Sequence, residues 1–179
     1  MVGPLFRYGL SDAELKKLGE LVLTWSSTEH MLAHGLGVML NLDAEQATAL
    51  TFPMPLDRKI AWIGTLVEGR AFDTIKPIVS ELKAVINKVQ SMRNTVIHGI
   101  LLAPTDERDD VAFYLRSKER IIPAKDVWDA EEVTNYACHV AAHFCWSLAE
   151  PHNAAKLFAA LPDRPASLAL PPRDSRGSA

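Results

Sequence analysis

Cysteine is scarce: Cys138 and Cys145 are the only two in 179 residues. Their spacing of seven puts them two turns apart on one helix face, ~10 Å, too far for a disulfide within a helix. They read as buried thiols of a reduced compartment. Long apolar runs are missing too. None reaches the ~18 residues that suggest a membrane span. The start, "MVGPLFRYGLSDAEL", has neither a basic cluster nor an extended apolar stretch, so no signal peptide and a cytoplasmic location are expected. Positive charge is not in excess: the net charge is -3 and the pI is near 6.1. That argues against broad, non-specific coating of duplexes, which runs on clustered Lys and Arg, but it leaves room for a local basic cleft. The chain has no Gly-rich phosphate cradle, no G-x-S-x-G elbow and no CxxC pair.

What is there is enough for a core. Apolar residues make up 48% of the chain and aromatics 7%, in a length that fits one ordinary domain. "SDAE" at 11–14 predicts a capping box, with Ser11 capping and Glu14 reaching back. Leu15, Leu18, Val22, Trp25, Glu29, Leu32, Leu36 and Met39 then recur at spacings of three and four, one face of a first helix about seven turns long. Glu29 stands in that stripe where an apolar residue is expected.

Asp43 can cap a short second helix, and Pro53 and Pro55 break the chain after it. Leu56 to Gly69 reads as a third helix with Ile60, Ile63, Leu66 and Val67 inward and Gly69 as its stop. Arg58 and Lys59 open that helix as surface charges. Asp73 can cap a fourth helix with Pro77 in its first turns. Its buried face is Ile78, Leu82, Val85, Ile86, Val89, Met92 and Val96, with Gly99 where a left-handed cap would sit.

The period then changes. "ILLA" and "VAFYLRS" are β-like around the polar turn "TDERDD", and "ERIIPA" can add a third short strand. Asp129 caps a fifth helix running to about Glu150, with Val133, Ala137, Val140, Phe144 and Leu148 on one face. A short helix near 153–161 follows. The fold class expected is mainly α, an up-and-down helical bundle with a small β insert at about 100–125 between the fourth and fifth helices. Residues 1–161 form one domain, and the Pro-, Ser- and Arg-rich stretch 162–179 is a flexible tail.

The fourth helix ends in "RNTVIHG". At 100° per residue Asn94 and His98 lie about 40° apart and share a face, and Asn87 and Ser91 continue it backwards. Arg93 extends the buried stripe from Ile86 and Val89, about 140° from His98, so its side chain must bend to meet a target shared with the histidine. A guanidinium near a core needs a partner, and Glu29, the other polar intruder on an apolar stripe, is the expected one.

Arg93, Asn94 and His98 resemble the signature of the HEPN superfamily, the higher-eukaryote and prokaryote nucleotide-binding domains. That signature is an arginine, a polar residue directly after it, often Asn, and a histidine four to six residues on. Trp25, Glu29 and Leu32 resemble a first-helix pattern of many small members, and the likeness spans residues 11–150. The β insert departs from the minimal fold. The resemblance implies metal-independent endoribonuclease activity at a site of Arg93, Asn94, His98 and Glu29, with no cofactor and no metal. It also implies a homodimer with the site at the two-fold axis, an RNA substrate, and a setting in phage defence or with an antitoxin partner. A non-catalytic module of the same fold that binds nucleotide, RNA or protein is the alternative. It accords with the fact that a histidine before glycine often serves only the last carbonyls of a helix.

His30 and His34, and His139 and His143, are also i, i+4 pairs of the kind that can bind zinc from one face. Di-metal bundles depend on Glu-x-x-His carboxylate sets, which are missing, so these histidines read as partly buried or interface residues.

Overall fold

The computed structural model describes residues 10–69, 73–102, 111–115, 119–128 and 130–168, without the side chains at 125, 128 and 130. The chain is mainly helical, with one small antiparallel sheet. Among the described residues the α-helices are α1 (Asp12–Met39), α2 (Ala44–Leu50), α3 (Leu56–Gly69), α4 (Lys76–His98), α5 (Ala124–Trp128), α6 (Ala130–Ala149) and α7 (Ala154–Ala159). Three strands, β1 (Ile100–Leu102), β2 (Ala112–Leu115) and β3 (Arg120–Pro123), pair in that order.

Local chemistry sets the starts. At α1, Glu14 N donates to Ser11 Oγ at 3.3 Å while Ser11 N donates to Glu14 Oε2 at 2.7 Å, which satisfies two otherwise orphan N–H groups. Asp43 and Gln46 make the same reciprocal pair at α2. Asp73 does not cap α4. It opens a short 3-10 turn at Asp73–Ile75 and its carboxylate binds Lys76, while Pro77 sits in the first turn, where a missing N–H costs nothing.

The main core joins α1, α3, α4 and α6 through Leu32, Leu36, Ile63, Leu82, Val85, Ile86, Val140 and Phe144. The buried face of α1 is rotated from the sequence expectation. Leu21, Thr28 and Gly35 are buried, whereas Leu15 and Val22 are exposed. The cause is packing against α6: a Cβ on Gly35 would collide with the Phe144 ring, so the glycine lets that ring lie against the α1 backbone. α3 and α4 run antiparallel, with Gly64 facing Lys83 and Val67 and Glu68 near Lys76 and Val79.

A second cluster, Leu21, Val111, Phe113, Ala124 and Val127, gathers the sheet under the C-terminal end of α4, with Leu18, Met92, Val96, Leu101 and Ile122 packed on it. Gly99 is extended, φ -75° and ψ 143°, not left-handed. The chain passes straight from helix into β1, so it needs β backbone there. Glycine is required for space instead: a Cβ would collide with the Thr95 carbonyl and lie 3.2 Å from the Phe113 side chain.

α5 was not legible in the sequence. The expected turn "TDERDD" and the expected cap Asp129 lie outside the described residues. Residues 162–168, expected as the start of a flexible tail, are held against the fold: Pro165 and Leu168 are buried and Arg164 Nε binds Glu81 Oε1 at 2.7 Å. Residues 169–179 lie outside the described residues.

Candidate functional site

Arg93, Asn94 and His98 occupy the last two turns of α4, where Met92 and Val96 anchor the helix on Leu18 and Leu21 of α1. Arg93 is half-buried, and Asn94 and His98 are exposed. Arg93 Nη1 donates to Asn94 Oδ1 at 3.1 Å, so the guanidinium does bend off its stripe toward the face that carries His98. Its Nε is buried and has no acceptor. Among the described residues no carboxylate pairs with Arg93 and no group bonds to the His98 imidazole.

The expected pairing of Glu29 with Arg93 or His98 is not formed among the described residues. The motif end of α4 lies level with residues 18–21 of α1. Glu29 is eight residues beyond Leu21, about 12 Å further along the helix. The cation that Glu29 bears on is Lys59. That lysine is buried, 4% exposed, not a surface charge, and Nζ donates to the Phe52 carbonyl at 3.4 Å. Burial pushes its pKa down, and the nearby Glu29 carboxylate works against that shift. The signal was in the spacing: Leu56, Lys59, Ile63 and Val67 share one face of α3, so Lys59 stands on the buried stripe.

The histidine pairs separate. His30 and His34 are exposed, and His30 meets the Phe52 ring edge-on with centroids 4.9 Å apart. His143 is buried, and its Nδ1 donates to the Leu157 carbonyl at 2.6 Å. A carbonyl only accepts, so the proton sits on Nδ1, and this histidine ties α6 to α7. Among the described residues no three His, Cys, Asp or Glu side chains converge as a metal site would require. Cys138 and Cys145 are free and partly buried. The Cys145 thiol donates to the Met31 carbonyl at 3.2 Å, and burial pushes its pKa up to about 11, which makes it a poor nucleophile.

Exposed apolar side chains surround the end of α4. Ile97 is 47% exposed, Ile100 53% and Ile121 51%. Ile100 lies opposite Tyr114 and Tyr114 opposite Ile121, so these three form one row across the outer face of the sheet. No helix is long and apolar enough to cross a membrane among the described residues.

This arrangement can hold an anion. A half-buried guanidinium without a carboxylate gains by pairing with one, and the His98 imidazole stands exposed one turn away. No family model matches the chain, and no match is found among curated proteins or among solved structures.

Proposed function

We propose that the chain is a HEPN-like, metal-independent endoribonuclease that cuts RNA with its own 2′-OH as nucleophile. One observation carries the reading: Arg93, half-buried and unpaired with any described carboxylate, is bonded to Asn94 and so turned to the side of α4 where His98 stands exposed.

In this reading Arg93 binds two phosphate oxygens and stabilises the extra negative charge of the transition state. Asn94 holds the arginine in that pose. His98 takes the proton from the 2′-OH as the 2′-oxygen bonds to phosphorus. The bond from phosphorus to the 5′-oxygen then breaks, and a protonated histidine supplies the leaving oxygen's proton. The resemblance implies a site at a two-fold axis, where the motif histidines of two copies would serve as acid and base. Ile97 at the end of α4, and Ile100 and Ile121 on the sheet that follows it, are exposed and are what the second copy would cover. The products are a 2′,3′-cyclic phosphate and a 5′-OH. The setting in phage defence, or against an antitoxin, rests on the resemblance alone.

A second reading is a non-catalytic module of the same fold that binds RNA or protein. It is favoured by the buried Nε of Arg93, which commits part of the guanidinium to its own core. Purified protein incubated with single-stranded RNA in EDTA separates the two. Cleavage supports the enzyme, and binding without cleavage supports the module.

A further inference from the structure

The polar side of α4 does not stop at Asn94. Lys76, Ser80, Lys83, Asn87, Ser91, Asn94 and His98 follow one another at spacings of four or three. At 100° per residue all seven fall within a sector of about 80°. Six are exposed and Lys83 is half-buried. The stripe carries no carboxylate, although the chain as a whole is net negative. The one acid of the helix, Glu81, is turned away and held by Arg164 and the Tyr136 hydroxyl.

Lys83 is not a loose surface charge. Its ammonium end lies over Gly64 of α3, where any Cβ would collide with it. There it lines a groove of about 230 Å³ between α3 and α4, together with Glu68, Lys76 and Ser80. Lys76 is already bound by Asp73, whereas Lys83 has no ion pair among the described residues. A positioned, unneutralised ammonium at one end of a carboxylate-free stripe, with Arg93 and His98 at the other, suits one extended polyanion better than two separate ligands.

We infer that this face of α4 is the track for a single RNA strand, with Lys83 gripping a phosphate remote from the bond that is cut. The inference rests on the nuclease reading for its end at His98 and deepens it by naming the substrate as a single strand several nucleotides long. From Lys83 to His98 is 15 residues, about 22 Å of helix. A strand stacked at ~3.4 Å per nucleotide spans that with about six nucleotides, and a more extended one with fewer. A duplex would present its backbones on a curved surface, which a straight 22 Å row follows poorly.

The test uses the full chain and a fluorescent 12-nucleotide RNA whose riboses are all 2′-O-methylated, so that it binds without being cut. Lys83→Gln is expected to weaken binding about 5- to 10-fold and to lower the salt slope by about 0.7. Lys88→Gln, which alters a lysine off the stripe, should match the wild type. A trinucleotide too short to reach Lys83 should bind both equally. Unchanged affinity and salt slope in Lys83→Gln, or no binding by the wild type, overturns the track. The nuclease reading is judged separately on unmodified RNA. Lys83-dependent binding without cleavage removes the nuclease and keeps the track. Cleavage with the same KM in Lys83→Gln keeps the nuclease and removes the track.

Discussion

Arg93 Nη1 donates to Asn94 Oδ1 at 3.1 Å, while Nε of the same guanidinium is buried without an acceptor. One neighbour in sequence therefore decides where this cation points. Asparagine supplies an acceptor without supplying a charge, so the guanidinium is oriented and not neutralised. A carboxylate at the same place would orient it and quench it.

That difference is testable at Asn94. Asn94→Asp keeps the acceptor and adds the charge, so it is expected to lower RNA affinity about 10-fold. The melting temperature should hold or rise slightly, because exposed ion pairs contribute only about 0–1 kcal/mol. Asn94→Ala frees the arginine and should produce a smaller loss. Anisotropy and melting curves on the three proteins check this, and equal affinity in all of them would remove Asn94 from the site.

His98 is exposed and ends its helix. His98→Ala is expected to leave the melting temperature within a few degrees and to lower the cleavage rate by at least ~100-fold. A cleavage rate like that of the wild type would exclude His98 as the proton carrier.

Glu29 is expected to behave oppositely. Its carboxylate is what favours the charged form of the buried Lys59. Glu29→Gln should leave cleavage unchanged and cost about 1 kcal/mol at pH 7, about 2–4 °C in a chain of this size. The sign with pH follows from the lowered pKa of Lys59. Between its folded value and the ordinary 10.5, the unfolded chain holds a proton that the folded chain has released, so stability from this group rises with pH across that window. Once Lys59 is neutral it no longer needs Glu29. The gap between variant and wild type should therefore close as pH approaches 10.5. A gap of the same size at pH 7 and pH 10 would show that Glu29 acts on something other than Lys59.

Much of the architecture was legible in the sequence where short-range rules govern. The boxes at Ser11–Glu14 and Asp43–Gln46, the bounds of α3 and the three strands follow from spacing and turn residues a few positions apart. What was not legible depends on distant partners. The face of α1 is set by Phe144 lying on Gly35, and α5 by its packing between the sheet and α1. Residues 162–168 are held by Glu81. At the candidate site the spacing showed only that Arg93 must bend to share a target with His98; its bond to Asn94, the next residue, was not foreseen. Nor was the environment of Glu29. Two polar residues on apolar stripes invited one explanation, but helix packing puts each at a different level, and the cation on which the Glu29 charge acts, Lys59, belongs to α3, which packs in the same core as α1.

Gly99 offers a purely structural check. Its backbone is ordinary for any residue, so Gly99→Ala tests the crowding by Thr95 and Phe113 alone. Overpacking at such a contact typically costs about 1–3 kcal/mol, and the melting temperature should fall accordingly. An unchanged melting temperature would mean that the helix end and the sheet are less tightly joined than described.

The central claim is that the RNA's own 2′-OH attacks the phosphate held by Arg93 and that His98 moves the proton. A labelled single-stranded RNA with one 2′-deoxy substitution at a mapped cleavage position, incubated with the protein in EDTA, tests this most directly. The expected result is that cutting stops at the substituted position and continues elsewhere, leaving 2′,3′-cyclic phosphate ends. Continued cutting at the substituted position, or loss of all cutting in EDTA, would contradict the mechanism.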